Sequence, residues 1–292
     1  MPTPSTPLAA ALVLVLAALG CDRPAHPSAA APPPAPVASA PAAPPPSSPS
    51  PPPPPSPPPP PPQPAALEAA TPLVDLAVEG HAAAVVSLPV GARTKRPVVI
   101  ATHGNYDRPE WQCQVWRELV GDSAFVLCPR GVARPDSPSA DDTRFTYTSN
   151  AELEAEIEAG LTALGARFTA HVDLERPLYA GFSLGAIMGV AIAARRPERF
   201  PRLVLIEGGH DRWTRDAAVA FTKGGGKRVL FVCSQGYCGN DAARAGARIE
   251  KAGAAMRVVR GPEVGHRYDG PTAEATRGAL PWVVEGDARW GW

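Results

Sequence analysis

The sequence predicts an α/β domain with a mostly parallel central sheet, helices on both faces and an antiparallel hairpin at its N-terminal end. Short apolar runs, which are typical of strands buried on both faces, alternate with helical stretches. One of these runs is followed by a G-x-S-x-G turn. The pattern starts near residue 71, and the roughly 220 residues of segment 71–292 suffice for one sizeable core. We therefore expect one folded domain.

The first 20 residues are typical of an export signal. Residues 8–20 are an unbroken apolar and small-residue run, too short to cross roughly 30 Å of hydrocarbon as a helix but long enough for a signal peptide. The run ends at Cys21, and Ala18-Leu19-Gly20-Cys21 resembles the lipobox of bacterial lipoproteins. This resemblance implies a lipid on Cys21 and an exported protein anchored to a membrane of the bacterial envelope. The alternative is a cleaved signal with an incidental cysteine, which gives a secreted protein.

A segment rich in Pro, Ala and Ser, residues 21–70, separates this signal from the domain. Of the 39 prolines, 23 lie between Pro24 and Pro64, and the segment lacks an apolar period that could bury a core. We expect a disordered tether with a reach of up to ~120 Å, because polyproline II rises about 3.1 Å per residue. A PxxP ligand for partner domains is the competing interpretation.

The domain opens with two β-leaning runs, residues 73–79 and 82–88, whose separation by Gly80-His81 predicts the hairpin. Buried strands are then predicted for six apolar runs, residues 97–101, 124–128, 177–180, 202–206, 228–233 and 256–260. Residues 151–168 carry apolar side chains at helical spacing, and Ser149 with Glu152 forms a capping-box signature before them. Residues 184–194 are apolar all round, which predicts a helix buried against the sheet.

The turn Gly181-Phe182-Ser183-Leu184-Gly185 connects the run 177–180 to this buried helix. That context makes the motif meaningful, because a serine on a tight strand-to-helix turn projects its hydroxyl from the sheet edge. The glycines leave room for the turn, since a Cβ at either position would crowd it. The helix N-terminus also offers free N–H groups to an oxyanion. Ser183 is therefore the predicted nucleophile.

With these residues, the sequence resembles the α/β-hydrolase superfamily over residues 73 to about 284. In that family an earlier strand ends in a His-Gly pair, and Thr102-His103-Gly104-Asn105 is similar to it. The resemblance implies an oxyanion hole from the N–H groups of Leu184 and Asn105, with Tyr106 as an open alternative to Asn105. His103 is expected to brace the loop rather than act as a base.

The family order of serine, acid and histidine implies that the general base follows the last strand, where His266 lies after Gly265. His210 is the rival, although its place after the preceding strand suits the order less well. The same order places the acid after strand 228–233, where Asp241 is the only carboxylate of the loop. Asp241 could instead be the N-cap of a helix over 242–252. Asp211, one strand earlier, is the alternative acid.

About 21 residues separate Ile206 from Arg228, room for one helix and its turns but not for a cap domain. The active site is therefore expected to be open, as in lidless esterases, thioesterases and dienelactone-hydrolase-like enzymes. The longest connection, residues 129–148, is the predicted substrate loop. Four aromatic residues are candidates for its walls or, equally, for the core: Tyr106, Trp111, Phe145 and Tyr147.

Five cysteines fit an exported protein. If Cys21 is lipidated, four remain and permit two disulfides in three connectivities, of which we favour Cys113 with Cys128 and Cys233 with Cys238. No Cys or His cluster has metal-ligand spacing, so neither a metal nor a cofactor is predicted. The 28 Lys and Arg balance the 28 Asp and Glu, which disfavours a nucleic-acid partner.

These observations together predict a lipid-anchored serine hydrolase that acts on carboxylic esters of small or lipid-like molecules. Ser183 is the nucleophile, His266 the base and Asp241 the acid that orients it, and the reaction passes through an acyl-enzyme. Two alternatives stay open: a thioesterase or serine peptidase on the same fold, and a catalytically silent hydrolase fold that serves as a binding module.

Overall fold

A computed structural model describes residues 64–291. The predicted signal peptide, Cys21 and nearly all of the predicted tether lie outside the described residues. Within residues 64–291, no helix combines the length and the apolar character that a membrane span needs.

The described residues form ten strands, which are β1 (Leu73–Leu76), β2 (Ala84–Ser87), β3 (Val98–Thr102), β4 (Phe125–Cys128), β5 (Val132–Ala133), β6 (Phe145–Thr146), β7 (Leu178–Phe182), β8 (Arg202–Ile206), β9 (Arg228–Cys233) and β10 (Ala255–Arg260). Eight of these strands form one sheet in the order β1-β2-β4-β3-β7-β8-β9-β10. β2 runs antiparallel to both of its neighbours, and the other pairs are parallel. β5 and β6 form a separate antiparallel pair. The predicted mostly parallel sheet with an antiparallel N-terminal hairpin is confirmed.

The α-helices of residues 64–291 are α1 (Pro109–Val120), α2 (Asn150–Arg167), α3 (Leu184–Arg195), α4 (Arg215–Lys223), α5 (Gly236–Ala252) and α6 (Pro271–Val284). Successive residues of β3 point to opposite faces of the sheet, so Val99 and Ile100 belong to two different hydrophobic clusters. Trp116 of α1 and Leu280 of α6 share the cluster of Val99. Helices α2 to α5 contribute to the other cluster. Helices therefore cover both faces, as predicted.

The Ser149 half of the predicted capping box is present, since the Ser149 side chain accepts a hydrogen bond of 3.1 Å from the Glu152 N–H. β10 differs from a strand buried on both faces. It alternates exposed and half-buried residues because it is the edge strand and pairs with β9 alone. The connection of residues 207–227 between β8 and β9 contains a short 3-10 turn and α4.

Both favoured disulfides are confirmed. Cys113–Cys128 joins α1 to the end of β4 with a Cα–Cα distance of 5.8 Å, and Cys233–Cys238 joins the end of β9 to the first turn of α5 with 5.6 Å. All four cysteines are buried. The second disulfide closes a loop of four residues, which holds Gln235 at the start of α5.

Candidate active site

Ser183 lies at the turn between β7 and α3. It has a positive φ of 49° with ψ −111°, a conformation that is sterically strained for a non-glycine residue. Its N–H donates to the Ile206 carbonyl at the end of β8, at 3.0 Å. Its hydroxyl is not buried and forms no hydrogen bond within the described residues. The strained turn thus presents the hydroxyl at the carboxyl edge of the sheet.

The tightness of this turn accounts for its two glycines. A Cβ on Gly181 would lie 2.6 Å from the Ala186 nitrogen, and a Cβ on Gly185 would lie 2.7 Å from the Thr102 carbonyl oxygen. Both distances are shorter than real Cβ contacts allow, so any larger residue displaces the backbone. The turn is therefore built for close approach of α3 to β7 and β3.

Two N–H groups remain available beside Ser183. Leu184 is the first residue of α3, so its N–H has no partner within the helix. The Asn105 N–H likewise has no acceptor among the described residues, whereas the Tyr106 N–H donates to the Phe145 carbonyl at 3.0 Å. The alternative donor Tyr106 is therefore occupied, and Leu184 and Asn105 are free to bind an oxyanion.

The Asn105 loop lies directly against the nucleophile. A Cβ on Gly104 would be 3.3 Å from the Ser183 Cβ, and the His103 carbonyl accepts the Gly185 N–H at 3.1 Å. The buried His103 ring has its Nδ1 2.7 Å from the Gly104 carbonyl and its Nε2 2.9 Å from the Arg130 carbonyl. It also stacks on Tyr147 at 4.4 Å between centroids. These contacts agree with the predicted bracing role.

His266 lies in the loop between β10 and α6, and 43% of its side chain is exposed. Its ring packs against Phe182, the neighbour of Ser183, with 4.9 Å between centroids. In the described part of the chain no hydrogen bond joins His266 to the Ser183 hydroxyl. Gly265 precedes it with φ +87° and open space around its Cα, which leaves the ring room to turn. The structure thus places the His266 ring against Phe182, the residue before Ser183.

The carboxylate that faces His266 belongs to Glu207, directly after β8. The Glu207 side chain is fully buried, and its Oε2 lies 3.7 Å from the His266 Nδ1. Its Oε1 accepts the Ser234 N–H and, at 3.0 Å, the Gln235 N–H. Oε2 is buried without a hydrogen bond, so its free acceptor points towards the imidazole. Glu207 also has a positive φ of 50°, a second strained residue at this site.

The structure does not bring Asp241 to His266, which corrects the predicted acid. α5 begins at Gly236 rather than at residue 242, so Asp241 is neither a loop residue nor an N-cap but the sixth residue of the helix. Its carboxylate pairs with Arg244 and lies 3.7 Å from the Nδ1 of His210. The alternative acid, Asp211, pairs with Arg212.

Gln235 is a second neighbour of the histidine that the sequence did not indicate. Its Oε1 lies 3.3 Å from the His266 Nδ1, and it also accepts the Tyr237 hydroxyl at 3.0 Å. Gln235 lies inside the loop closed by Cys233–Cys238. The disulfide therefore holds the segment that contacts both His266 and Glu207.

Of the four aromatic candidates for a substrate wall, two are exposed and two are buried. Tyr106 is 37% and Trp111 41% exposed, whereas Phe145 and Tyr147 are buried. The Arg144 guanidinium lies over both exposed rings, 5.6 Å from the Tyr106 centroid and 4.4 Å from that of Trp111. Tyr106, in the loop between β3 and α1, and Trp111, in α1, thus remain at the surface. Phe145 and Tyr147 pack inside.

The strand order, with β2 alone antiparallel, and the serine turn between β7 and α3 define the α/β-hydrolase fold. No protein-family model and no curated protein sequence matches this chain. Solved structures do match in fold. TT1662 from Thermus thermophilus is similar at 15% identity and a TM-score of 0.53, with 73% of this chain and 98% of that chain covered.

Two further structures with this fold belong to named hydrolases. FphF, a fluorophosphonate-binding serine hydrolase of Staphylococcus aureus, is similar at 12% identity and a TM-score of 0.53, with 73% of this chain and 97% of that chain covered. Carboxyl esterase 2 of the fungus Tuber melanosporum is similar at 14% identity and a TM-score of 0.51, with 77% and 90% covered. At these identities the likeness establishes the fold of residues 64–291.

Proposed function

We propose that this protein is a serine hydrolase that cleaves carboxylic esters through an acyl-enzyme. The Ser183 Oγ attacks the ester carbonyl carbon while the His266 Nε2 takes the hydroxyl proton. The N–H groups of Leu184 and Asn105 hold the resulting oxyanion. The intermediate then expels the alcohol, which leaves with the proton from His266. Water, activated by the same imidazole, hydrolyses the acyl group from Ser183.

Glu207 takes the place of the acid in this proposal. During the reaction its free Oε2, which lies 3.7 Å from the His266 Nδ1 in the structure, accepts the Nδ1 hydrogen and so keeps Nε2 unprotonated towards Ser183. The buried negative charge also stabilises the imidazolium that forms during attack.

One observation carries the proposal: a strained serine lies beside two unpaired N–H groups, and a histidine that packs on its neighbour Phe182 faces a buried carboxylate. A structural turn requires neither the strain nor the unpaired donors, and strain of this kind clusters at functional sites. The activities of two structural neighbours, a carboxyl esterase and a fluorophosphonate-binding serine hydrolase, agree with it.

The direct test is covalent labelling with a fluorophosphonate probe. The wild-type protein should be labelled on Ser183 and should hydrolyse p-nitrophenyl butyrate, and Ser183→Ala should do neither. Parallel assays with a matched thioester and a peptide anilide distinguish an esterase from a thioesterase or peptidase. A folded wild-type protein that is neither labelled nor active on any of the three would favour the silent binding module.

We also propose that Cys21 carries the lipid anchor and that the domain acts outside the cytoplasm. The two buried disulfides support an oxidising compartment. The Cys21→Ser variant should leave the membrane fraction of a bacterial host and appear in the soluble fraction. Unchanged fractionation of this variant would contradict the anchor.

A further inference from the structure

Asp107 is a buried carboxylate at the centre of the loop that follows Gly104. Its Oδ2 accepts the Gly104 N–H at 3.3 Å, and its Oδ1 accepts the Arg108 N–H at 2.8 Å. Its backbone pairs in both directions with that of Phe145, which holds the loop from outside. The residue therefore fixes both sides of Asn105, the oxyanion donor of the proposed site, without contacting the nucleophile.

The same carboxylate reaches a distant part of the chain. The Tyr268 hydroxyl donates to the Asp107 Oδ1 at 3.2 Å, across 161 residues of sequence. Burial raises the pKa of Tyr268 well above its ordinary value, and the Asp107 charge raises it further. The phenol therefore stays protonated and remains a hydrogen-bond donor throughout the physiological pH range.

Tyr268 also belongs to the loop that carries the base. It lies two residues after His266, and both rings pack on Phe182, with centroid distances of 4.6 Å for Tyr268 and 4.9 Å for His266. In this histidine loop, residues 261–270, the His266 side chain contacts Gln235 of the β9–α5 connection, and the exposed Arg267 pairs locally with Asp269. The Tyr268 hydroxyl thus gives the histidine loop a polar connection to residues 103–108, which we call the oxyanion loop because they include Asn105.

We propose that Asp107 and Tyr268 are positioning residues that couple the oxyanion loop to the histidine loop, so that the Asn105 N–H and His266 are held in register about Ser183. This inference rests on the proposed hydrolase function. Neither residue touches the reacting atoms in this arrangement. Their hydrogen bond fixes the positions of the Asn105 N–H and of His266 relative to Ser183. A small displacement of either group raises the free energy of the transition state.

Tyr268→Phe tests the coupling with little disturbance, because it removes the hydroxyl and leaves the ring on Phe182. It should lower kcat about tenfold, because a small displacement of the donor or the base weakens the transition state, with KM changed by less than about twofold. The affinity for butaneboronic acid, whose tetrahedral Ser183 adduct places an oxygen in the hole, should fall by a similar factor. Thr214→Ala, which removes the N-cap hydrogen bond of α4, is the control for stability and should leave both values unchanged.

A double-mutant cycle with Asp107→Ala, which removes the acceptor of the Tyr268 hydroxyl, shows whether Tyr268 acts through Asp107. In the Asp107→Ala background, Tyr268→Phe should have less than about a twofold further effect on kcat. The coupling is wrong if the two substitutions lower kcat independently, so that their fold-losses multiply in the double mutant. It is also wrong if Tyr268→Phe keeps the wild-type kcat, or if it lowers kcat without weakening boronate binding. A wild-type protein that neither hydrolyses esters nor reacts with fluorophosphonate would overturn the proposed function itself, and the coupling with it.

Discussion

If Glu207 is the acid, Glu207→Gln should reverse the hydrogen bonding between this side chain and His266. The Oε1 of Glu207 accepts two N–H groups, from Ser234 and Gln235, so the amide oxygen of a glutamine must occupy that position. The amide NH₂ then takes the place of Oε2 and points at the His266 Nδ1. Nδ1 must become an acceptor, which leaves the proton on Nε2, where Ser183 needs a base.

This reversal of the tautomer should lower kcat by about 10³-fold, which corresponds to about 4 kcal/mol of transition-state stabilisation. Gln235 Oε1, 3.3 Å from Nδ1, keeps part of the correct tautomer and limits the loss. The assay is p-nitrophenyl butyrate hydrolysis, with thermal melting as a check on folding. Asp241→Asn is the matched control and should keep kcat within about twofold of wild type. A Glu207→Gln variant that keeps a tenth of the wild-type kcat or more, or an Asp241→Asn variant that loses as much as Glu207→Gln, would show that Glu207 is not the acid.

Three further predictions concern the turn, the disulfide and the C-terminal ion pair. Gly185→Ala places a methyl group against the β3 carbonyl, so it should cost about 1–3 kcal/mol of stability in thermal melts and abolish fluorophosphonate labelling; unchanged labelling would contradict it. Replacing Cys233 and Cys238 by serine should lower the unfolding free energy in urea by about 2 kcal/mol, because the loop is short, and should also lower kcat, whereas a normal kcat would count against a supporting role for this loop. A hydrogen bond from Arg289 holds the pKa of Asp287 below its usual range. The ionised Asp287 carboxylate therefore stabilises the folded state above a pH of about 4. This stability is lost as the pH falls through the lowered pKa of the folded state. Asp287→Asn should therefore be less stable than wild type at neutral pH and equal to it in acid, and a deficit that does not change with pH would refute this.

Much of the fold could be predicted because the central strands are buried on both faces. β8 and β9 match their predicted runs residue for residue, because every residue after the first arginine of each strand is apolar and buried. The hairpin strands β1 and β2 are shorter than predicted. The ladder runs from the pair Leu73–Ser87 to the pair Leu76–Ala84, and residues 77–83 connect the two strands. Apolar periodicity alone cannot say where such a ladder ends.

The site could be predicted in part. Ser183 follows from a motif whose spacing has a steric reason, and His266 occupies the expected loop. Glu207 was missed because it directly follows β8, where a single carboxylate has no motif around it. Its signal was its place: it ends the strand next to the nucleophile strand in a Glu-Gly-Gly turn. Only the strand order and the fold of the β9–α5 loop reveal which carboxylate faces the histidine.

The β9–α5 loop links the position of Glu207, directly after β8, to the start of α5 at Gly236. The first N–H groups after β9, those of Ser234 and Gln235, need an acceptor where α5 begins, because Gln235 provides no side-chain cap. Glu207 supplies that acceptor with one oxygen and keeps the other for His266. The β9–α5 loop thus supports the acid instead of supplying it. Because α5 starts directly after this anchor, its first turn and a half carries Asp241 away from the imidazole and towards His210.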